Sequence, residues 1–195
     1  MKRADVRELH YIAPIGNIAS IRRVGIFSHN RAQAMSPISV ANPEVQAIRA
    51  AKCVGVKPLH DFVNLYFHAR NPMMYLRQAS HPDLCVLQVS SDVLDLPGTV
   101  ITDMNAASPF KPLPSPSGLA DLDANLVFAE YWLHADPIEQ IRRKAIRCAE
   151  VLVPDHVDIG HVVGAYVSNA GSQRALVAVG FQLPIILNPK MFFQA

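Results

Sequence analysis

The sequence predicts an α+β domain, in which several short strands and few helices are joined by long irregular connections. Short runs rich in β-branched and aromatic residues recur along the chain, as expected for strands. Fifteen prolines against nine glycines favour many rigid turns and few long helices. With 195 residues and a mass of 21.4 kDa, the chain can bury one full core, so we expect a single domain over residues 1–195.

The first elements of the chain are predicted to be a strand and a short helix. Residues 8–15, ELHYIAPI, have the composition of a strand. Asn17 is a plausible N-cap for a helix over 18–24, and Gly25 follows where a left-handed residue ends a helix. The polar segment 28–41 is then expected to be a loop.

The clearest helix is predicted at residues 42–55. Asn42 is an N-cap candidate, Pro43 suits the first helical position, and Glu44 lies where the helix dipole favours a negative charge. Gly55 would end this helix.

The middle of the chain contains predicted strands and a long connection. Aromatic and β-branched residues predict strands at 61–67, 84–90 and 99–103. Residues 110–118, FKPLPSPSG, are too rich in proline to form regular structure. They lie within an irregular connection over 104–136, and because loops longer than about 12–15 residues are usually functional, we expect it to close over a ligand.

A helix and a strand are predicted after this connection. The helix over 136–147 begins with Asp136 and Glu139 in a capping-box arrangement. The strand over 147–155, RCAEVLVPD, alternates with period two and carries Glu150 among apolar residues. A last pair of strands is predicted at 175–181 and 183–189.

Composition limits the class of protein. Half of the residues are hydrophobic and 17% are charged, which is typical of a globular chain. A net charge of +2 neither indicates nor forbids binding to nucleic acid. Residues 1–12 lack the apolar region of a signal peptide, and no apolar run approaches the roughly 20 residues of a membrane span. We therefore expect a soluble, cytoplasmic protein without membrane contact, with its three cysteines as free thiols.

Several standard motifs are absent from the sequence. It contains no GxGxxG after a strand, no Walker A motif, no GxSxG elbow and no HExxH. The three cysteines show no CxxC spacing, and the eight histidines never stand at helical spacing around a carboxylate. We therefore expect no metal site.

Glu150 is the first candidate for chemistry, because it interrupts an apolar strand. A carboxylate in such a place either pairs with a nearby base or takes part in a reaction. The structural alternative is an ion pair with Arg142, Arg143 or Arg147 at the start of the strand.

Several longer segments resemble one known family. LHYIAPIGN, the helix VQAIRAAKCV, LHDFVNLYFHARNPMMY, ITDMNAAS and AEVLVPD occur in this order in the DarT family. Its members are DNA ADP-ribosyltransferases, toxins that are paired with a DarG antitoxin. The resemblance extends from His10 to the closing strands, and the seventeen-residue segment is its most specific part.

The resemblance implies a fold and an activity. It implies an ADP-ribosyltransferase-like split β-sandwich with short helices and a long turn-turn loop before the catalytic strand. It further implies NAD as co-substrate, single-stranded DNA as acceptor and a DarG-type macrodomain antitoxin as partner. The absence of GxGxxG agrees with such a scaffold, in which NAD is held in a cleft without a Rossmann motif.

The resemblance also implies roles for individual residues. Glu150 matches the catalytic glutamate, which stabilises the ribose cation that develops as nicotinamide leaves. Arg49 matches an arginine that acts on the acceptor base as proton acceptor. Because a guanidinium stays protonated, we expect Arg49 to bind base carbonyls or an NAD phosphate as a fork of donors, and to relay a proton there. The alternative for Arg49 is a surface ion pair.

The predicted NAD contacts lie around the first strand. His10 resembles a histidine that hydrogen-bonds NAD, and Tyr11 and Ile12 are expected to share this role through backbone groups. Asn17 is expected to cap a helix whose N-terminus faces a phosphate, and Arg49 completes the set. The alternative for His10 is a half-buried histidine bonded to backbone.

The predicted DNA contacts lie in ARNPMMYL. Arg70 can reach a phosphate, while Met73, Met74 and Tyr75 offer an apolar surface on which an unpaired base can stack. The alternative is a turn followed by core residues. A second candidate for phosphate contact is the basic cluster before Glu150, which can also be a solvated face; it comprises Arg142, Arg143, Lys144 and Arg147.

The sequence therefore predicts an NAD-dependent ADP-ribosyltransferase that modifies thymidine, or else guanosine, in single-stranded DNA. An unpaired base presents its Watson–Crick edge without the cost of base flipping. Two alternatives stay open at this point. One is the same enzyme class with RNA or protein as acceptor, and the other is a non-catalytic module that binds nucleic acid or NAD on the same scaffold.

Overall fold

The computed structural model describes residues 1–194 and shows a mixed sheet with short helices around it. The strands are β1 (Glu8–Pro14), β2 (Ile26–Phe27), β3 (Cys53–Val54), β4 (Lys57–Pro58), β5 (Phe62–Tyr66), β6 (Leu84–Ser90), β7 (Val100–Thr102), β8 (Pro112–Pro114), β9 (Glu150–Pro154), β10 (His156–Val157), β11 (Val162–Val167) and β12 (Ile185–Leu187). The α-helices are α1 (Ile18–Val24), α2 (His29–Ala32), α3 (Pro43–Ala50), α4 (Pro72–Tyr75), α5 (Ala124–Val127), α6 (Pro137–Ile146) and α7 (Ala170–Ala178). The predicted α+β class is confirmed.

Eight strands form the main sheet in the order β12-β11-β6-β1-β5-β9-β7-β8. All neighbours are antiparallel except β11 and β12, which are parallel. β1 pairs with β6 over its whole length, but its ladder with β5 consists of the single pair His10 and Tyr66. The sheet is therefore divided between β1 and β5, as the split sandwich implied by the resemblance requires.

The two faces of the sheet carry different residues. The main hydrophobic core takes Leu9, Val151 and Val153 on one face. The opposite face carries smaller clusters, which include Ile12 and Leu152. This distribution confirms the period-two alternation predicted for β9. Glu150 is the first residue of that strand and not its middle, so its side chain lies at the strand end.

The predicted helix starts at 42 and 136 are confirmed by their caps. Asn42 Oδ1 accepts hydrogen bonds from two backbone amides of the first turn, at 2.8 and 3.4 Å, and Asp136 Oδ1 accepts one at 2.9 Å. α3 ends at Ala50, however, and not at Gly55. Gly55 has a φ of 59° and lies in the turn between β3 and β4. The predicted end was wrong because a glycine marks a left-handed turn of either kind.

Two predicted caps do not form, because other contacts occupy the side chains, a tertiary one for Asn17 and one within the same helix for Glu139. Asn17 has helical dihedral angles and makes no capping bond. Its amide instead donates to Ile38 O at 2.8 Å and its Oδ1 accepts from Ile38 N at 3.0 Å. Glu139 does not return to the backbone of Asp136 but accepts from Arg143 Nε at 3.0 Å. Asn17 thus bonds a distant residue, and Glu139 bonds a residue of its own helix, in place of the predicted cap.

Two predictions of segment type are wrong. The proline-rich segment 110–118 contains β8, which forms the outer edge of the sheet, where the missing proline N–H costs no ladder bond. Residues 175–181, predicted as a strand, belong largely to α7. Asn169 caps that helix by accepting from Ser172 N at 3.0 Å, and Leu176 is buried beneath it. Packing of one face outweighs the β-branched run.

Other differences concern the connections. The segment 28–41 contains α2 and a 3₁₀ turn, Gln33–Met35. The connection 104–136 contains β8, a 3₁₀ turn at Ser117–Asp121, and α5. β11 has no counterpart among the predicted strands, although its valines and tyrosine are typical of a strand. Within residues 1–194, no helix is long and apolar enough to cross a membrane.

Candidate active site

Three polar side chains form a row across the division of the sheet. The strand register places His10 opposite Tyr66, and Tyr66 opposite Glu150. Residues directly opposite each other in an antiparallel pair project from the same face. β1, β5 and β9 therefore bring residues 10, 66 and 150 together, although they are far apart in the sequence.

The Glu150 carboxylate is fully buried and asymmetrically bonded. Its Oε1 accepts from Arg49 Nη1 at 2.9 Å and from the backbone N–H of Ala106 at 3.0 Å. Its Oε2 has no hydrogen-bond partner among the residues that the structure describes. The backbone N–H of Glu150 donates to Thr102 Oγ1 at 3.0 Å, which holds the strand end in place. One oxygen is thus fixed, and the other keeps an unused acceptor position inside the protein.

Arg49 is buried beside this carboxylate, with 6% of its surface exposed. Burial lowers the pKa of Arg49, but the charge and hydrogen bond of Glu150 raise it, and the net pKa lies above the ordinary value. The guanidinium is therefore a permanent cation. The surface ion pair considered for Arg49 is wrong, because α3 turns this side chain inward.

The nearby arginines do not pair with Glu150. Arg142 and Arg143 form ion pairs with Glu139, at 3.3 and 3.0 Å. Arg147 donates to Val127 O at 2.7 Å. The partner of Glu150 lies 101 residues earlier in the chain, beyond the reach of a prediction from local spacing.

A lysine that the sequence did not single out supports the pair. Lys52 Nζ donates to Ala107 O at 2.8 Å and to Ser108 O. Burial and the charge of Arg49 lower the pKa of Lys52. The bonds hold the short loop whose Ala106 N–H faces Glu150. The available signal is the position of Lys52, three residues after Arg49 and just beyond the end of α3, whereas a backbone donor leaves no mark on residue identity.

A cavity of about 830 Å³ reaches this site at Arg49, which lines it, whereas the fully buried Glu150 does not line it. Four of the predicted NAD contacts line it: Tyr11, Ile12, Asn17 and Arg49. Met73, predicted to contact DNA, lies in the same wall. Because β1 pairs with β5 only at residue 10, the following residues of β1 have no strand partner on that side. The volume lies within the roughly 300–1,000 Å³ of small-molecule pockets.

Two histidines in the cavity wall were also missed. The rings of His29 and His60 lie 4.1 Å apart between centroids. Burial, with the nearby charge of Arg49, lowers the pKa of both, so they are neutral at pH 7. His29 belongs to α2, in a segment predicted as a loop, and nothing in its neighbourhood in the sequence indicates this contact.

Comparison with known proteins identifies the family of this site. The family model described as "DarT: ssDNA thymidine ADP-ribosyltransferase, DarT" matches residues 10–193. The chain belongs to the DarT family. It is 32% identical over 198 residues to a DNA ADP-ribosyl transferase–DNA ADP-ribosyl glycohydrolase fusion protein of Thermosipho africanus (strain H17ap60334), a match that covers 96% of this chain. The chain spans about half the length of that relative, since 50% of the fusion protein is covered.

Solved structures of DarT proteins have the same fold. Thermosipho africanus DarTG in complex with ADP-ribose has a TM-score of 0.81 and 28% identity, over 96% of this chain and 51% of that one. Thermus sp. 2.9 DarT in complex with ADP-ribosylated ssDNA also has a TM-score of 0.81, at 23% identity, over 96% of both chains. The same Thermus protein in complex with NAD+ has a TM-score of 0.76 at 23% identity, over 95% of this chain and 97% of that one. At this identity the Thermus structures establish the fold.

The DarT resemblance predicts an NAD contact for His10, but the structure gives this side chain protein partners. His10 is 3% exposed and is not among the residues that line the cavity. Its Nδ1 accepts from Ala69 N and its Nε2 bonds Glu8 Oε1, both at 2.8 Å. The structural alternative, a half-buried histidine bonded to backbone, agrees with the bond to Ala69, although the ring is buried and not half-buried.

The segment predicted to contact DNA, ARNPMMYL, lies partly at the surface and partly in the interior. Asn71 caps α4 by accepting from Met74 N at 3.1 Å, so the turn expected at Asn-Pro is present. Tyr75 is 48% exposed, and Arg70 stacks over Phe193 at 4.0 Å and donates to Lys190 O. Met74 is fully buried. The prediction that Met74 offers a stacking surface is wrong, because the side chain packs into the core.

Arg147 is also placed inside the protein. It is 2% exposed, and burial lowers its pKa to about 10. The predicted contact of Arg147 with a DNA phosphate is therefore wrong. Of the basic cluster, Lys144 lines the cavity, whereas Arg142 and Arg143 are engaged with Glu139.

Proposed function

We propose that this protein transfers ADP-ribose from NAD to thymidine in single-stranded DNA. The observation that carries the proposal is the Glu150 carboxylate, which is buried, held through Oε1 by Arg49 and Ala106, and without a protein partner at Oε2 within residues 1–194. Membership of the DarT family supports the same activity. A binding module needs no such carboxylate behind an arginine of its cavity wall.

In the proposed reaction Glu150 stabilises the ribose of NAD as its bond to nicotinamide breaks. The bonding electrons leave with nicotinamide, and positive charge develops on the sugar, as in glycoside hydrolysis. Oε2 accepts a hydrogen bond from a ribose hydroxyl, and this bond strengthens as charge develops. The fixed Oε1 keeps the carboxylate oriented, so no reorganisation is needed during the step.

Thymidine is the acceptor in this scheme. With N1 bound to its own sugar, N3 is the remaining ring N–H of thymine. N3 forms the new bond to the ribose carbon that nicotinamide has left, and the proton of N3 passes to water. A single strand leaves this edge of the base unpaired, which is the state in which N3 can react.

Arg49 acts in the proposal as a charged donor. One of its Nη atoms is bound to Glu150, which leaves other N–H groups of the guanidinium for a substrate oxygen. Its raised pKa speaks against a role as free base. A donor aimed at a thymine carbonyl would stabilise the base as it loses its N3 proton.

The proposed NAD site consists of Tyr11, Ile12, Asn17 and Arg49 along the cavity. The proposed DNA contacts are Arg70, Met73 and Tyr75. Because the Thermosipho relative is fused to an ADP-ribosyl glycohydrolase, we propose that a DarG-type macrodomain antitoxin reverses the modification here also, and that the protein acts as the toxin of the pair in the cytoplasm.

Mass spectrometry of modified oligonucleotides tests the proposal. The protein is incubated with NAD and mixed-sequence single strands, duplex DNA, RNA or a protein acceptor. We expect a gain of one ADP-ribose on thymidine of single strands alone. Glu150→Gln should abolish it, while Glu44→Gln, an exposed change on the helix of Arg49, should leave it intact. Modification of RNA or protein instead, or NAD binding without any product, would contradict the proposed acceptor or the proposed chemistry.

A further inference from the structure

A polar cluster beside β1 lies outside the cavity wall and is used by none of the steps above. Glu8 lies at the centre of this cluster and accepts three hydrogen bonds. Its Oε1 accepts from His10 Nε2 and from the Tyr166 hydroxyl, both at 2.8 Å, and its Oε2 accepts from Gln88 Nε2 at 2.7 Å. Burial raises the pKa of Glu8, but the bonds from His10 and Tyr166 lower it further than burial raises it, so the carboxylate is ionised.

The bonds fix the tautomer and the orientation of His10. The backbone N–H of Ala69 donates to Nδ1, so this nitrogen carries no proton. Nε2 must then carry the proton, and it donates to Glu8. The ring also makes edge contacts with His68 at 5.3 Å and Tyr166 at 5.8 Å between centroids. Both nitrogens are thus engaged, and the ring cannot rotate without losing two bonds.

The bond to Ala69 holds the start of the segment proposed to contact DNA. Ala69 O accepts from Asn71 N at 2.8 Å, and Asn71 caps α4, which carries Met73 and Tyr75. The anchor at Ala69 therefore connects β1 to the orientation of α4 through two further hydrogen bonds. Ala69 itself is fully buried, so its N–H is bonded to the histidine and not to solvent.

We propose that Glu8 and His10 are positioning residues that hold the segment 68–75 for the acceptor strand, and that the His10 side chain does not bind NAD. This reassigns a residue for which the family resemblance implies a cofactor contact. The inference rests on the proposed function only in naming the acceptor. The arrangement itself predicts that the loss of either side chain loosens 68–75, while Tyr11, Asn17 and Arg49, which line the cavity from other segments, keep their places.

Matched substitutions separate the two nitrogens of the ring. In His10→Asn the amide oxygen can replace Nδ1 as acceptor for Ala69, whereas in His10→Gln the amide NH2 can replace Nε2 as donor to Glu8. His10→Ala and Glu8→Ala remove the anchor and its support. Asp92→Ala, which removes an exposed surface carboxylate, is the control.

Three measurements are made on each variant: NAD affinity by calorimetry without DNA, hydrogen–deuterium exchange of peptides over 68–75, and the KM for a single-stranded oligonucleotide. For His10→Ala and Glu8→Ala we expect faster exchange over 68–75, an NAD Kd within about twofold of wild type, and a KM for the oligonucleotide raised about tenfold, as for the loss of one buried hydrogen bond. His10→Asn should restore the oligonucleotide KM more fully than His10→Gln.

Two results would overturn the inference. One is an NAD affinity that falls about tenfold or more in His10→Ala and is rescued by His10→Gln, since that is the behaviour of an NAD ligand. The other is unchanged exchange over 68–75 in both alanine variants. If the wild-type protein modifies no oligonucleotide, the proposed function fails, but exchange and NAD affinity still decide the positioning role.

Discussion

The buried pair of Arg49 and Glu150 predicts how the free energy of unfolding changes when one or both residues are replaced. We consider Arg49→Met and Glu150→Gln, alone and together. Both changes nearly preserve side-chain volume, and the amide introduced by Glu150→Gln keeps an oxygen that can accept from Ala106. Each single change leaves the remaining partner in a site where Glu150 is fully buried and Arg49 is 6% exposed.

The magnitude follows from the burial of both groups. Removal of one member of a buried ion pair costs about 3–5 kcal/mol, because a charge is left without compensation, whereas replacement of both members is close to neutral. For a domain of this size, 1 kcal/mol shifts Tm by roughly 2–4 °C. Arg49→Met should therefore lower Tm by about 6–20 °C, and Glu150→Gln by a similar amount, since Arg49 then loses its counter-charge. The double variant should lie within about 2 kcal/mol of wild type.

Urea and thermal unfolding of the four proteins measure the coupling directly. The partly exposed pair of Glu139 and Arg143 has a similar distance, 3.0 Å, and serves as control. The corresponding substitutions there should cost less than about 1 kcal/mol and add independently. If the losses in Arg49→Met and Glu150→Gln simply add in the double variant, the assignment of a tightly coupled buried pair is refuted. We expect both single variants and the double variant to be inactive.

Three further predictions concern the loop, the pH dependence and the acceptor. Lys52→Met should lower kcat about tenfold with little change in the KM for NAD, because the loop at 107–108 loses its anchor; an unchanged kcat in steady-state assays would contradict this. Burial, followed by the charge of Arg147, lowers the pKa of His68 to about 3, below its ordinary value near 6.5, so protonation favours the unfolded chain. The contribution of neutral His68 to the free energy of unfolding should be complete above pH 6.5. It should be lost as the pH drops toward 3, by at most about 1.4 kcal/mol per pH unit, and His68→Asn should remove this part of the pH profile in urea unfolding. Tyr75→Ala should weaken binding of a single strand by about 1–3 kcal/mol in fluorescence anisotropy, whereas equal affinity would remove Tyr75 from the DNA site.

Local signals in the sequence were sufficient for much of the fold. The caps at Asn42 and Asp136 and the apolar run of β6 lie in neighbouring residues, so they can be recognised without knowledge of the tertiary structure. The alternation in β9 likewise identified Glu150 as a carboxylate on an apolar strand. The resemblance of longer segments to the DarT family predicted that Arg49 belongs to the same site as Glu150.

Errors arose where a long-range partner outweighed a local preference. Asn17 bonds residue 38 and not its own helix, and α7 forms over a β-branched run because Leu176 is buried. β8 is regular in spite of its prolines because it lies at a sheet edge. In each case the deciding interaction joins segments that are distant in the chain, and a propensity contributes less free energy than such packing.

The sequence by itself determined the α+β class, most of the strands, the capped helix starts and the two residues, Arg49 and Glu150, on which the proposed chemistry depends. Tertiary structure alone decided that these two form one buried pair, that the Ala106 amide joins them, that both nitrogens of His10 have protein partners and that Met74 points inward. Caps and alternation depend on neighbours a few residues away, whereas burial and pairing depend on which strands meet across the sheet.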